Sequence, residues 1–113
     1  MSPIGVYGET KRAGELAVLK SAIDSVVIRT SWLYSSYGNN FVKTMLRLGN
    51  EKENLGVISD QVGTPTYARD LAKTCLEILC GDSSEDISKN GNLYHYSNEG
   101  VASWYDFAIS IME

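Results

Sequence analysis

Val26-Val27-Ile28 constrains the fold more than any other stretch of this chain. Three consecutive β-branched residues favour extended backbone. They also leave no polar face for water, so a strand made from them is buried on both sides, as in a parallel sheet. The strand reads from Ser25 to Thr30 and lies between two segments of helical character. Arg29, an ionised group inside this apolar run, needs partners and is read as structural.

The rest of the chain repeats the alternation. Thr10–Lys20 carries Ala13, Leu16, Ala17 and Leu19 near helical spacing, and Asn39–Leu48 reads as a helix with Asn39 or Asn40 as N-cap and Gly49-Asn50 as its stop. Leu55–Ser59 reads as a short strand. Tyr67–Leu79 is the clearest helix, with Leu71, Ala72, Cys75, Leu76 and Leu79 on one stripe and Gly81 ending it. Asp82–Asn92 is a polar loop, Asn92–Ser97 a strand, and Ser103 the cap of a final helix. Strands separated by helices indicate an α/β fold.

Tyr7 and Lys11 stand four residues apart where the first helical stretch begins, so both fall on one helical face. A phenol is a poor acid or base at neutral pH, and a neighbouring ammonium favours the phenolate and makes such a tyrosine usable in proton transfer. Alone, the Tyr-x-x-x-Lys spacing is common on solvated helices. Three further blocks give it context: Arg29-Thr30-Ser31-Trp32, Asn39-Asn40-Phe41, and Asp60-Gln61-Val62-Gly63-Thr64-Pro65-Thr66. Tyr94-His95-Tyr96-Ser97-Asn98-Glu99-Gly100 and Ser103-Trp104-Tyr105-Asp106-Phe107-Ala108 close the series.

In that order and at those intervals, the chain from Pro3 to Phe107 resembles the dTDP-4-dehydrorhamnose reductases of the extended short-chain dehydrogenase/reductase superfamily. Such enzymes begin with a Gly-rich βα turn that seats the cofactor pyrophosphate at a helix N-terminus. No G-x-G-x-x-G or related fingerprint occurs among the ten glycines here, and no upstream catalytic Ser/Thr is present. The expectation is therefore the C-terminal part of a Rossmann-like NAD(P)-binding fold. Residues 1–113 would form one fragment with the active-site helix, a late Rossmann strand and the substrate-binding region, without the N-terminal dinucleotide-binding βα units.

The resemblance implies specific roles. Tyr7 would donate the proton to the carbonyl oxygen that becomes a hydroxyl, and Lys11 would assist it while hydrogen-bonding the nicotinamide ribose. Trp32 would face the sugar, with Asn39 and Asn40 nearby as amide donors and acceptors; helix capping explains either asparagine equally well. The cofactor would be NADPH or NADH, bound largely by the missing N-terminal part, and the substrate a dTDP-linked keto-deoxyhexose. Two other readings share features of the sequence. One is a nucleotide-sugar epimerase or dehydratase of the same superfamily, and the other a non-catalytic regulatory subunit like that of methionine adenosyltransferase.

Composition narrows the alternatives. A formal charge of −4 with dispersed Lys and Arg argues against a nucleic-acid face. No apolar run approaches the roughly 20 residues of a membrane span. Cys75 and Cys80 match no zinc or redox spacing, so buried free thiols in a reducing cytoplasm are expected. His95 is the only histidine and is read as structural, with no metal site. An apolar strand deprived of its sheet neighbours invites pairing, so the fragment itself is expected to form a homodimer.

Overall fold

A computed structural model describes residues 5–21, 25–81 and 93–113. The expected loop Asp82–Asn92 lies outside the described residues. The chain divides into two compact units, one of residues 1–29 and 78–95, the other of residues 30–77 and 96–113.

In the first unit, helix α1 (Val6–Ser21) precedes strand β1 (Val27–Arg29), which pairs in parallel with β5 (Leu93–His95). The helix starts four residues earlier than the periodicity of its apolar residues indicates. Gly5 adopts φ +89, and its carbonyl accepts from Glu9 N at 3.1 Å, so the first turn forms ahead of Thr10. Glu9 in that turn complements the positive end of the helix dipole. Parallel pairing of β1 agrees with its two-sided apolar character. Arg29 meets the need for partners: its Nε and Nη2 donate to Glu15 Oε1 and Oε2, both at 2.7 Å, joining α1 to β1.

The second unit holds four two-residue strands. β2 (Leu33–Tyr34) pairs in parallel with β4 (Thr66–Tyr67), and β3 (Val62–Gly63) pairs antiparallel with β6 (Ala102–Ser103). The expected strand Leu55–Ser59 does not form. Its Ile58 carbonyl instead accepts from Tyr105 N, and the pairing falls on Val62-Gly63, inside the Asp60–Thr66 block. Helix α2 (Phe41–Glu51) is capped by Asn40, whose Oδ1 accepts from Lys43 N at 3.2 Å. Gly49-Asn50 does not stop it. Gly49 lies against the flexible end of the Met112 side chain, where α2 packs on the last helix, α4 (Trp104–Met112).

Helix α3 (Ala68–Cys80) follows β4 directly and ends at Gly81 as expected. Its thiols are free, but Cys80 is exposed and Cys75 half-buried, contrary to the expectation of burial. Ser103 caps α4 through a full capping box: Ser103 Oγ accepts from Asp106 N, and Asp106 accepts from Ser103 N at 2.9 Å. The interior of this unit centres on Met45, Ala108, Thr66 and Ser103, ringed by Trp32, Tyr34, Phe41, Trp104 and Phe107.

Candidate functional site

Tyr7 lies in the first turn of α1 and Lys11 one turn later, on one face as their spacing requires. The Lys11 Nζ sits 5.5 Å from the centroid of the Tyr7 ring, within cation–π range. Tyr7 is 76% exposed, so its phenol is open to a ligand. The helix carrying the pair is pinned one turn further on by the Glu15–Arg29 fork. The Arg29 guanidinium, hydrogen-bonded to both carboxylate oxygens, holds the Glu15 carboxyl below its ordinary value; the same fork raises Arg29. His95 stands opposite Arg29 in the β1–β5 register. Among the described residues, no three His, Cys, Asp or Glu side chains group as a metal site.

The remaining candidates belong to the second unit. Trp32 immediately precedes β2 and adopts φ 45, the only described non-glycine residue in the left-handed region. For so bulky a residue this backbone costs on the order of 1–3 kcal/mol and persists only where the surroundings enforce it. They do so here. Thr66 N donates to the Trp32 carbonyl at 3.1 Å, and Ser31 Oγ donates to the Thr64 carbonyl at 2.8 Å. The indole stacks on Trp104 at 3.6 Å between centroids and 11° between planes.

Gly63 closes the other side. A Cβ there would stand closest to Trp32 Cε2 and, a little further off, 2.7 Å from both Cζ2 and Nε1. Cε2 is bonded to the other two atoms and lies inside them, so an edge-on approach would reach them first. The glycine therefore sits over the ring face. Trp104 overlaps the opposite face, and what Trp32 offers a ligand in this conformation is its edge. Its Nε1–H has no protein acceptor among the described residues.

Asn40 is committed locally. Beyond the cap, its Nδ2 donates to the Ser35 carbonyl at 2.7 Å and the Tyr37 carbonyl at 3.4 Å. Asn39 is exposed beside it. Asn98 was not singled out by its sequence, yet its Oδ1 accepts from Tyr67 N at 2.7 Å and its Nδ2 donates to Asp70 Oδ2 at 2.8 Å. This clasp ties the segment after β5 to the start of α3.

Two open cavities flank that region. One of about 560 Å³ is lined by Tyr34, Tyr67, Asp70, Asn98, Asp106 and Phe107 among others. The second, about 500 Å³, lies at the carboxyl end of β2 and the N-terminus of α3, between Ser35, Ser36, Tyr37, Tyr67 and Arg69. In parallel α/β sheets the carboxyl end is where ligands bind, and a helix N-terminus with a guanidinium suits an anion. Neither cavity is lined by Trp32, Asn39 or Asn40. Tyr7 and Lys11 are brought together within the first unit, while Trp32, Asn39 and Asn40 share the second. Trp104, Gly63 and Asn98 are the residues that sequence reasoning missed. They lay inside blocks already quoted, but nothing in their spacing marks a stacking partner or a clasp.

Residues 1–113 match the family model of the RmlD substrate binding domain. The chain is 44% identical over 113 residues to the spore coat polysaccharide biosynthesis protein SpsK of Bacillus subtilis (strain 168), spanning 100% of this chain and 37% of that protein. It is 45% identical over 113 residues to the dTDP-4-dehydrorhamnose reductase of Escherichia coli (strain K12), spanning 99% of this chain and 37% of that enzyme. Among solved structures, the dTDP-4-dehydrorhamnose reductase of Bacillus anthracis in complex with NADP matches with a TM-score of 0.87 at 43% identity, covering 98% of this chain and 37% of that one. The chain thus spans little more than a third of these relatives' length, with the α/β character expected of the C-terminal part of their fold. On the match of its full length, the chain belongs to the RmlD substrate-binding-domain family.

Proposed function

We propose that this chain supplies the proton-donating Tyr–Lys pair and the nucleotide-sugar-binding region of an NAD(P)H-dependent dTDP-4-dehydrorhamnose reductase. The parent enzyme would reduce the C4 keto group of dTDP-4-dehydro-rhamnose to give dTDP-rhamnose for cell-surface polysaccharide, in the cytoplasm. The observation that carries the reading is the Lys11 ammonium 5.5 Å from the ring of an exposed Tyr7 on one helix face. The names of the relatives support it, as does the NADP held by the Bacillus anthracis enzyme.

The residues present fit a nicotinamide nucleotide. Lys11 carries three N–H donors on a flexible stem, suited to ribose hydroxyls beside the phenol. When bound, the reduced nicotinamide supplies the hydride for C4. Tyr7 holds the proton for the carbonyl oxygen at that moment, with the Lys11 ammonium beside it on the same helix face. The Glu15–Arg29 fork fixes the helix that presents both groups. In the second unit, Arg69 at the start of α3 offers positive charge for the diphosphate, and Trp32 and Asn39 are assigned to the sugar side, with Asn40, whose amide is committed to the α2 cap and the Ser35 and Tyr37 carbonyls, shaping the loop beside them. No described helix is long and apolar enough to cross a membrane.

The same reading extends to the isolated chain. Among the described residues β1 pairs with β5 alone, which leaves strand edges unpaired, so a second copy is the partner assigned to this surface.

The test of the catalytic assignment is Tyr7→Phe in the full-length parent. The phenylalanine keeps the ring and deletes the O–H, and kcat falls by roughly 10²–10⁴ with the fold unchanged. A near-normal kcat removes Tyr7 from the role of acid.

A further inference from the structure

We propose that Gly63 and Trp104 are positioning residues for the sugar substrate: together they form a slot that fixes the Trp32 indole so that its edge, with the Nε1–H, is what the substrate meets. The proposal rests on the reductase reading given above and adds two residues to it.

First, both indole faces are covered, by the Trp104 ring at 3.6 Å and by the Gly63 backbone. Stacking of the sugar on Trp32 is thereby excluded in this conformation, whereas the unpartnered Nε1–H remains free to donate to a sugar oxygen. Second, Gly63 is not required by its own backbone. Its φ lies outside the left-handed region, so an alanine there meets no intrinsic strain, and the three atoms nearest to a methyl all belong to the Trp32 ring. The absence of a side chain at position 63 is therefore a demand of the indole. Third, Trp32 is held in the left-handed region by the Thr66 N–H on its carbonyl. A ring so constrained has little freedom to retreat when one wall of its slot moves. Gly63 sits in β3 and Trp104 at the start of α4, and the β3–β6 pairing sets the slot width by joining Gly63 to Ala102, two residues before Trp104.

Position 56 provides a matched control. A Cβ at Gly56 meets nothing within 4 Å, and its φ is also ordinary. The first readout uses the 113-residue chain, whose two tryptophans give two indole N–H resonances. Each ring lies in the shielding zone of the other. Gly63→Ala is expected to shift both resonances, because the added methyl presses on the Trp32 ring from the face opposite Trp104 and changes the register of the stack. Gly56→Ala is expected to shift neither.

The second readout uses the full-length parent. Loss of one neutral hydrogen bond corresponds to roughly 2–12-fold in affinity, so Gly63→Ala should raise KM for the dTDP-linked keto-sugar within that range. Because the reacting groups are untouched, kcat should stay within a few-fold, which also shows that the variant folds. Trp104→Phe keeps a flat ring behind Trp32 and is expected to retain most of the affinity that Trp104→Ala loses. Resonances unmoved by Gly63→Ala overturn the slot, and so does an unchanged KM in a variant whose resonances have moved. Those failures are separable from failure of the underlying reading. An unmodified parent that reduces no dTDP-linked keto-sugar refutes the reductase assignment and the substrate role of the slot with it. A parent that turns over normally while Gly63→Ala matches it refutes the slot alone.

Discussion

Replacing Asn98 by alanine removes two hydrogen bonds at once, and the structure sets the size of the loss. The bond from Tyr67 N, at 2.7 Å, is neutral and contributes about 1 kcal/mol; the bond to Asp70 Oδ2, at 2.8 Å, has a carboxylate acceptor and contributes about 1.5–3 kcal/mol. Both are part-buried, so water recovers a fraction when the amide is gone, and a net cost of about 2–3 kcal/mol is expected. In a domain of this size that lowers the thermal midpoint by roughly 10–15 °C. Asn98→Asp is the sharper test. It keeps an acceptor for Tyr67 N but sets a carboxylate against the Asp70 carboxylate. At neutral pH it should be at least as unstable as the alanine variant. Acidification should restore much of the loss, because one proton shared between the two oxygens turns repulsion into a hydrogen bond. Thermal unfolding followed by circular dichroism at neutral and mildly acidic pH reads both effects. An aspartate variant as stable as the unmodified chain at neutral pH would falsify the clasp.

Four further outcomes are expected. Glu15→Gln should destabilise the chain at neutral pH: the folded-state carboxyl is held below its ordinary 4.5 by Arg29, so its contribution is full above that value and is lost as pH falls through the lower folded value. Urea midpoints of the two proteins that stay apart in strong acid would contradict this. Ser103→Ala, which breaks the capping box at a nearly buried serine, should cost about 1–2 kcal/mol by denaturant titration. Gly49→Ala should be neutral or stabilising by up to about 1 kcal/mol, since the added methyl meets only the flexible, half-exposed end of Met112 and the helix gains alanine propensity; a marked drop in thermal midpoint would show that α2 and α4 cannot shift. The 113-residue chain lacks any Gly-rich phosphate-binding turn, so calorimetry should detect no micromolar binding of NADPH.

The elements that could be read from sequence were those fixed by local chemistry. α3 announced itself by its stripe and by Gly81, α4 by the Ser103 cap, and α2 by Asn40. Val26-Val27-Ile28 read as a strand of a parallel sheet from its β-branched run, and β1 does pair in parallel with β5, although its residues are half-buried rather than buried on both faces. The two-residue strands β2, β3, β4 and β6 were not legible. Pairs as short as Val62-Gly63 carry no periodicity, and their pairing is decided by partners far along the chain, Ala102 and Ser103. Gly49 shows the same limit. A glycine near a helix end reads as a stop, while here it packs against the flexible end of Met112 and the helix continues to Glu51.

The Tyr7–Lys11 pair was visible because i, i+4 spacing is itself the geometry that matters. Arg29 was correctly suspected of needing a partner, but no local rule identified Glu15, fourteen residues away on α1. The same holds for the Trp32 slot: the sequence presents two tryptophans and a glycine in separate blocks, and only the fold brings Trp104 and Gly63 to opposite faces of one ring.

Turnover of the full-length parent with dTDP-4-dehydro-rhamnose and reduced nicotinamide tests the proposed activity most directly. Oxidation of NADPH or NADH should proceed with stoichiometric appearance of dTDP-rhamnose, and the Tyr7→Phe parent should bind the same substrate yet form product at roughly 10²–10⁴ lower rate. A folded parent that binds the nucleotide sugar but leaves its C4 keto group unreduced with either cofactor contradicts the assignment.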